Sequence, residues 1–275
     1  MQITPLPQGF GAEVTGFDLP DGRDAADIAR LRGAFDAQHL LVIRGEGTIS
    51  PERQAEIAGW FGPTGCDSAE AGPSHTMMDN AEAIGRAVLP FHSDISYMEF
   101  PLEGISLHPL ELPRSPTSTT FISNACGWDA LPADVQEELR DAKGRHYYAD
   151  GQMLDLDWPV FEYWHPVRME HPRTGRPLLF VTEHHVDRLS GMTEQRSAQL
   201  LPLLFDALYA PQRRYEHVWR EGDLVIWDNL AIQHARTREA DPSEGKRRLQ
   251  RVQIGKHGFL DQLAKVKQKA EAAAG

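Results

Sequence analysis

The chain has 275 residues, 41% of them hydrophobic, with 28 Lys+Arg against 40 Asp+Glu and a formal net charge of −12. That length and apolar content can bury a sizeable core in one domain spanning 1–275, while the acidic balance argues against nucleic acid or an anionic membrane as partner. No apolar stretch approaches the ~20 residues that cross a bilayer, the N-terminus lacks the basic and apolar regions of a signal peptide, and Cys66 and Cys126 form no CxxC motif and read as buried free thiols, so a reducing cytoplasm is expected.

In chain order, AADIARLRGAFDAQHL (25–40) has apolar residues at helical spacing, with Asp24 or Asp27 near its start. LLVIRG (40–45) follows as a short buried strand. Ser50 before Pro51 suits an N-cap and first helical position, and PERQAEIAGWFGP continues as a helix closed by Gly62-Pro63. Gly45-Glu46-Gly47 lacks a third glycine at dinucleotide spacing and reads as a turn. The stretch 64–90, rich in Gly, Pro, Ser and Asp, reads as a long loop of the kind that often covers an active site. Short strands follow in LPFHSDISY, GISLHPLEL and STTFISN, then a helix over 132–143 opened by Pro132. Residues 145–190 are aromatic-rich and predict long loops before a strand PLLFVTE (177–183). A helix is expected over 193–208. HVWREGDLVIWDNLAIQHART (217–237) predicts two strands around EGD and DN turn signals, and RRLQRVQI (247–254) a last strand. The tail 262–275 reads as a fraying helix end. The six tryptophans read as core or loop-packing residues. This order lacks regular βαβ alternation, so the fold class expected is mainly β with flanking helices, a jelly-roll double sheet.

A strand over 89–97 places His92 and Asp94 on the same face. Taken alone, the pair is as well explained by an ordinary hydrogen bond. His234 ends the apolar run Leu230–Gln233, where a lone histidine is more often a satisfied core residue than a ligand. Together, two histidines and one carboxylate make a facial triad that leaves three cis positions open on Fe(II). Beyond His234 come Arg247 and Arg251, four apart and so on one face of a strand. In an acidic protein they call for anionic partners, and the planar fork of arginine suits a carboxylate. A solvated basic edge strip is the alternative.

The chain resembles the taurine dioxygenase / 2,4-dichlorophenoxyacetate dioxygenase family of Fe(II)/2-oxoglutarate enzymes. The likeness runs from GAEVTGFDL (11–19) to RVQI (251–254). It is carried by FHSDISYMEFP (91–101), STTFISNACGWDALP (118–132), HPRTGRPLLFV (171–181), GDLVIWDNLAIQHART (222–237) and RRLQR (247–251). The resemblance implies a double-stranded β-helix (cupin-like) with His92, Asp94 and His234 as iron ligands. It also implies Arg247 on the distal carboxylate of 2-oxoglutarate, with Thr119 supporting it, and Arg251 near the substrate anion or the C1 carboxylate of 2-oxoglutarate. The sequence departs from the family by Pro116-Thr117-Ser118 before Thr119, and by extra residues after His234 that leave Arg248 as an alternative to Arg247. The four-residue step to Arg251 favours Arg247. HHVDRLSGM resembles the herbicide-type branch, where His185 is the matching position; the resemblance implies that it reaches the substrate pocket, and a surface histidine is the equal alternative. A second metal site at His184-His185 is disfavoured because adjacent residues on a strand point to opposite faces.

The activity implied is hydroxylation of an unactivated C–H of a small organic anion, a carboxylate such as an aryloxyalkanoate, using O2 and releasing succinate and CO2. A taurine or alkylsulfonate dioxygenase is the nearer rival, and a non-catalytic jelly-roll sensor the rival from another class. A serine hydrolase using Ser93 or Ser96 lacks a GxSxG elbow. A homo-oligomer, dimer or tetramer, is expected.

Overall fold

The computed structural model describes residues 1–64, 75–148 and 161–274. The chain opens with β1 (Gln2–Pro5), β2 (Ala12–Thr15), α1 (Ala25–Gln38), β3 (Leu40–Arg44) and α2 (Pro51–Gly59). Asp24 caps α1, accepting from the Ala26 and Asp27 N–H groups, and Ser50 caps α2, accepting from Arg53 N–H. Then come β4 (His75–Asp79), α3 (Ala83–Arg86), β5 (Leu89–His92), β6 (Gly104–Glu111), β7 (Ser118–Ser123), α4 (Asn124–Asp129) and α5 (Ala133–Glu138). The last part holds β8 (Lys143–Tyr148), β9 (Phe161–Pro166), β10 (Arg168–Glu170), β11 (Pro177–Leu179), β12 (Val186–Leu189), α6 (Glu194–Tyr209), β13 (Tyr215–Val218), β14 (Asp223–Asp228), β15 (Ile232–Arg236), β16 (Arg248–Ile254) and α7 (Phe259–Ala274).

Two sheets carry the molecule. The larger has the order β1-β2-β3-β14-β6-β16-β4 and the smaller β13-β7-β15-β5. Every described pairing is antiparallel except β2 with β3. The near-continuous apolar run of β3 follows from burial on both faces. Leu40 and Val42 join Val225, Trp227, Phe121 and Ile232 between the sheets. Leu41 and Ile43 face outward beneath Leu31 and Phe35 of α1 and Ile57 of α2. The outer face of the smaller sheet is covered by α4 and α6 through Ile122, Trp128, Leu200 and Leu204. This is the expected jelly-roll double sheet with helices outside.

Several expectations are corrected. Within 64–90, residues 65–74 lie outside the described residues, but β4, α3 and the start of β5 replace the rest of the loop. His75–Asp79 pairs along β16, whose edge needs a partner. The aromatic section before 190 contains a three-stranded sheet, β8 between β12 and β9, not long loops alone. The segment 217–237 holds three strands rather than two, because Tyr215–Val218 pairs with β7. The helix over 132–143 stops at Glu138, and Lys143 already opens β8. Cys126 is free but half-buried, and Cys66 lies outside the described residues. Among the described residues no helix is long and apolar enough to cross a membrane.

Candidate metal centre and its cavity

β15 runs between β7 and β5, and its register sets His234 opposite His92. Alternation then turns Ile232, His234 and Arg236 towards the larger sheet. β5 ends at His92, so the expected strand over 89–97 is shorter and Asp94 sits on a turn. Ser96 N–H donates to Ser93 O, Met98 N–H donates to Ile95 O, and Ile95 has φ 48°. The Asp94 N–H is taken by Asn229 Oδ1 at 2.9 Å instead of by a strand partner. The turn nevertheless returns the carboxylate to the imidazoles. Asp94 Oδ1 lies 3.1 Å from His92 Nε2 and 3.6 Å from His234 Nε2. These three residues offer ligand atoms that all lie within 4.8 Å of one another, the one such metal-competent cluster among the described residues.

The donor chemistry fits a ferrous ion. His92 Nδ1 is 2.7 Å from the Pro90 carbonyl oxygen, which can only accept, so Nδ1 carries the proton and Nε2 presents its lone pair to the cluster. Burial disfavours the Asp94 anion, but the charge of Arg251 outweighs it and holds the carboxyl well below its usual range. Two imidazoles and one carboxylate are the set that non-haem Fe(II) takes on one face.

The cluster opens into a cavity of about 300 Å³ between the two sheets. Arg247, Leu249, Arg251 and Gln253 line it from the larger sheet, and Thr119 with Arg236 from the smaller. The described lining holds three arginines and one carboxylate, so this cavity is locally cationic in an acidic protein. Arg247 is 3% exposed. Its Nε donates to Thr117 Oγ1 at 3.0 Å, and no carboxylate of the described residues is paired with it. Burial, helped by the charge of Arg236, presses its pKa down to about 9, which still leaves it charged at neutral pH. Arg248 points the other way, to Glu111 at 2.7 Å and Asp79 at 3.3 Å. Arg251 donates through Nη2 to Asp94 Oδ2. Thr119 Oγ1 accepts from Trp219 Nε1 at 3.1 Å, which leaves its own proton to be donated.

His185 is 4% exposed and also lines the cavity, its ring 5.2 Å from that of Tyr97. Residues 183–185 form a turn rather than the end of a strand, so the opposite-face argument fails and His184 lines the cavity too. Two tryptophans are more than packing: Trp227 lies 4.9 Å from the His234 ring, and Trp219 holds Thr119. Sequence reasoning passed over Asn229 and Asp228, read only as a turn signal, and Arg236, whose two-residue step from His234 already placed it on the same face. It also assigned no role to Asn124, whose amide braces the start of β15 through Leu230 O and Gln233.

Residues 2–253 match the family model described as "Taurine catabolism dioxygenase TauD, TfdA family". The chain belongs to the TauD/TfdA family. This TauD/TfdA protein is 29% identical to the alpha-ketoglutarate-dependent 2,4-dichlorophenoxyacetate dioxygenase of Cupriavidus pinatubonensis, over 90% of this chain and 95% of that one. It is 29% identical to the (S)-phenoxypropionate/alpha-ketoglutarate-dioxygenase of Sphingobium herbicidovorans, over 86% and 88%. A crystal structure of a taurine dioxygenase from Burkholderia xenovorans superposes with a TM-score of 0.79 at 23% identity, over 92% of this chain and 90% of that one. That likeness shows the shared fold, the double-stranded β-helix. The TauD/TfdA chain is therefore an oxidoreductase, a 2-oxoglutarate-dependent dioxygenase, and the non-catalytic sensor is not favoured.

Proposed function

We propose that this enzyme uses Fe(II) and O2 with 2-oxoglutarate to hydroxylate an unactivated C–H of a small organic carboxylate, releasing succinate and CO2. His92, Asp94 and His234 would hold the metal. The observation that carries the reading is the pairing of that donor set with Arg247, a buried guanidinium in the same cavity with no carboxylate paired to it among the described residues. A buried charge without a counter-ion is costly, and the distal carboxylate of 2-oxoglutarate supplies one in a bidentate geometry. Thr119 would donate its free hydroxyl proton to the same group.

Bound Fe(II) would supply the redox chemistry that couples O2 to decarboxylation of 2-oxoglutarate and oxidation of the substrate. The residues do the rest. Trp227, Leu249 and Tyr97 give the cavity apolar walls, which would limit water around a bound substrate. Arg251 would draw the substrate anion towards the metal end, and His185, buried and neutral, would offer it a hydrogen bond. In its bland form, Arg251 touches the C1 carboxylate of 2-oxoglutarate instead. The two relatives above act, by their names, on phenoxyalkanoates, which supports a carboxylate over a sulfonate. Anaerobic reconstitution with Fe(II) and 2-oxoglutarate, then a screen for substrate-stimulated succinate formation on admitting air, tests the proposal. Stimulation by carboxylates is expected. Stimulation by neutral or cationic compounds alone would overturn the substrate class, and absence of 2-oxoglutarate turnover the activity.

A further inference from the structure

We propose that Asn229 is a positioning residue that clamps the backbone of Asp94 and so sets its carboxylate against the two imidazoles. The inference rests on the reading of His92, Asp94 and His234 as the metal-binding set. Asp94 lies beyond the end of β5, on a turn with Ile95 in the left-handed region. Strand pairing therefore does not hold it. Asn229 does, from both sides of one residue: its Oδ1 accepts the Asp94 N–H at 2.9 Å, and its Nδ2 donates to the Asp94 carbonyl at 3.1 Å and to the Leu102 carbonyl at 3.0 Å. Only a primary amide combines one acceptor and two donor hydrogens in a plane of this size.

The clamp is itself anchored. Asn229 is fully buried and its N–H donates to Glu103 O at 3.1 Å. Next to it, Asp228 Oδ1 accepts from the Leu230 and Ala231 N–H groups, and Oδ2 pairs with His171 Nε2 at 2.9 Å and Arg173 Nη2 at 2.6 Å. On its other side, Trp227 packs on the His234 ring. One short segment, the end of β14 and the turn after it, thus holds one residue of the set through a ring and another through an amide, although the two lie far apart in the chain. That relation explains how an aspartate off its strand still reaches within 3.1 and 3.6 Å of two Nε2 atoms.

The test is Co(II) titration of the full-length apo-protein, without co-substrate or substrate, followed by the d–d absorption band, with thermal unfolding measured in parallel. Asn229→Ala and Asn229→Asp are expected to weaken Co(II) binding about 10- to 100-fold and to alter the band, the usual effect of removing a partner that orients a ligand. Asn229→Asp keeps the acceptor but loses both donors and sets a charge against two carbonyl oxygens, so it should not rescue. Asn229→Ser is the variant to use if alanine does not fold. His234→Ala serves as reference. If His234→Ala loses Co(II) while folded Asn229→Ala and Asn229→Asp bind it as the parent does, the clamp is overturned. If His234→Ala also binds as the parent does, the metal-site reading itself fails. If all three Asn229 variants are unfolded at the assay temperature, the residue serves the fold and the positioning role is overturned.

Discussion

Arg251 and Asp94 share one ion pair at the mouth of the metal cluster: Arg251 Nη2 donates to Asp94 Oδ2, while Oδ1 of the same carboxylate faces His92 and His234. One oxygen of the carboxylate thus faces a guanidinium and the other the two imidazoles. The other N–H groups of Arg251 remain for an anion in the cavity.

Arg251→Gln should therefore raise the concentration of prime substrate required, by a loss of about 2–5 kcal/mol for a charge-assisted pair in a partly buried site. Substrate-independent decarboxylation of 2-oxoglutarate should survive. Steady-state assays of succinate with and without substrate separate the cases. If both reactions fall together, Arg251 serves the co-substrate.

Removing any ligand should end turnover. His92→Ala, Asp94→Ala and His234→Ala each take away one of three donors, and chelation of the metal should do the same to the parent until Fe(II) is returned. Asp94→Glu should also fail, since the turn fixes the backbone and an added methylene moves the oxygen by about an ångström or more. A variant with parental Fe(II) affinity and activity removes its residue from the set.

Arg247 and Arg248 should behave as opposites. Arg247→Ala should raise the requirement for 2-oxoglutarate far more than that for the substrate, again by about 2–5 kcal/mol. Thr119→Ala should act the same way but by about 1 kcal/mol. Arg248 sits on the outer side with Glu111 and Asp79, so Arg248→Ala should change stability by about 0–1 kcal/mol and leave the co-substrate requirement alone. A large effect at Arg248 with none at Arg247 would reverse the assignment.

Stability should fall as pH drops below about 6.5. Burial lowers His39 to about 4, His146 to about 3 and His165 to about 4, the carbonyl bonds of the last two only partly opposing it. The unfolded chain takes up protons near 6.5, while the folded chain stays neutral there until about 4. Between those values the unfolded state holds more protons, so acid favours it, by up to about 1.4 kcal/mol per pH unit for each histidine. Denaturant unfolding at pH 7.5, 6 and 5 measures this. A midpoint independent of pH over that range would contradict the buried neutral state.

The parts of the fold legible in the sequence are those fixed by neighbours in the chain. Asp24 and Ser50 announced their helices because capping is local, and β3 showed its two-sided burial as an unbroken apolar run. The same-face step from Arg247 to Arg251 was readable for the same reason. Asp94 was placed on a strand because alternation predicts it, whereas its position depends on Asn229, far along the chain. β4, β8 and β9 carry no clean alternation and form through their partners, β16 and β12 among them. Arg236 showed its face but not its burial, since packing decides that and spacing does not.

The histidines stand on one sheet and Arg247 beside the other, and the packed core of Phe121, Trp227 and Leu249 keeps the two sheets apart at a set distance. The gap between them therefore works as a gauge of molecular length. A ligand held at both ends of the cavity must match that gauge, and on the proposed reading the co-substrate is such a ligand. Its fit would then belong to the two sheets, and the choice of prime substrate to the loops around them.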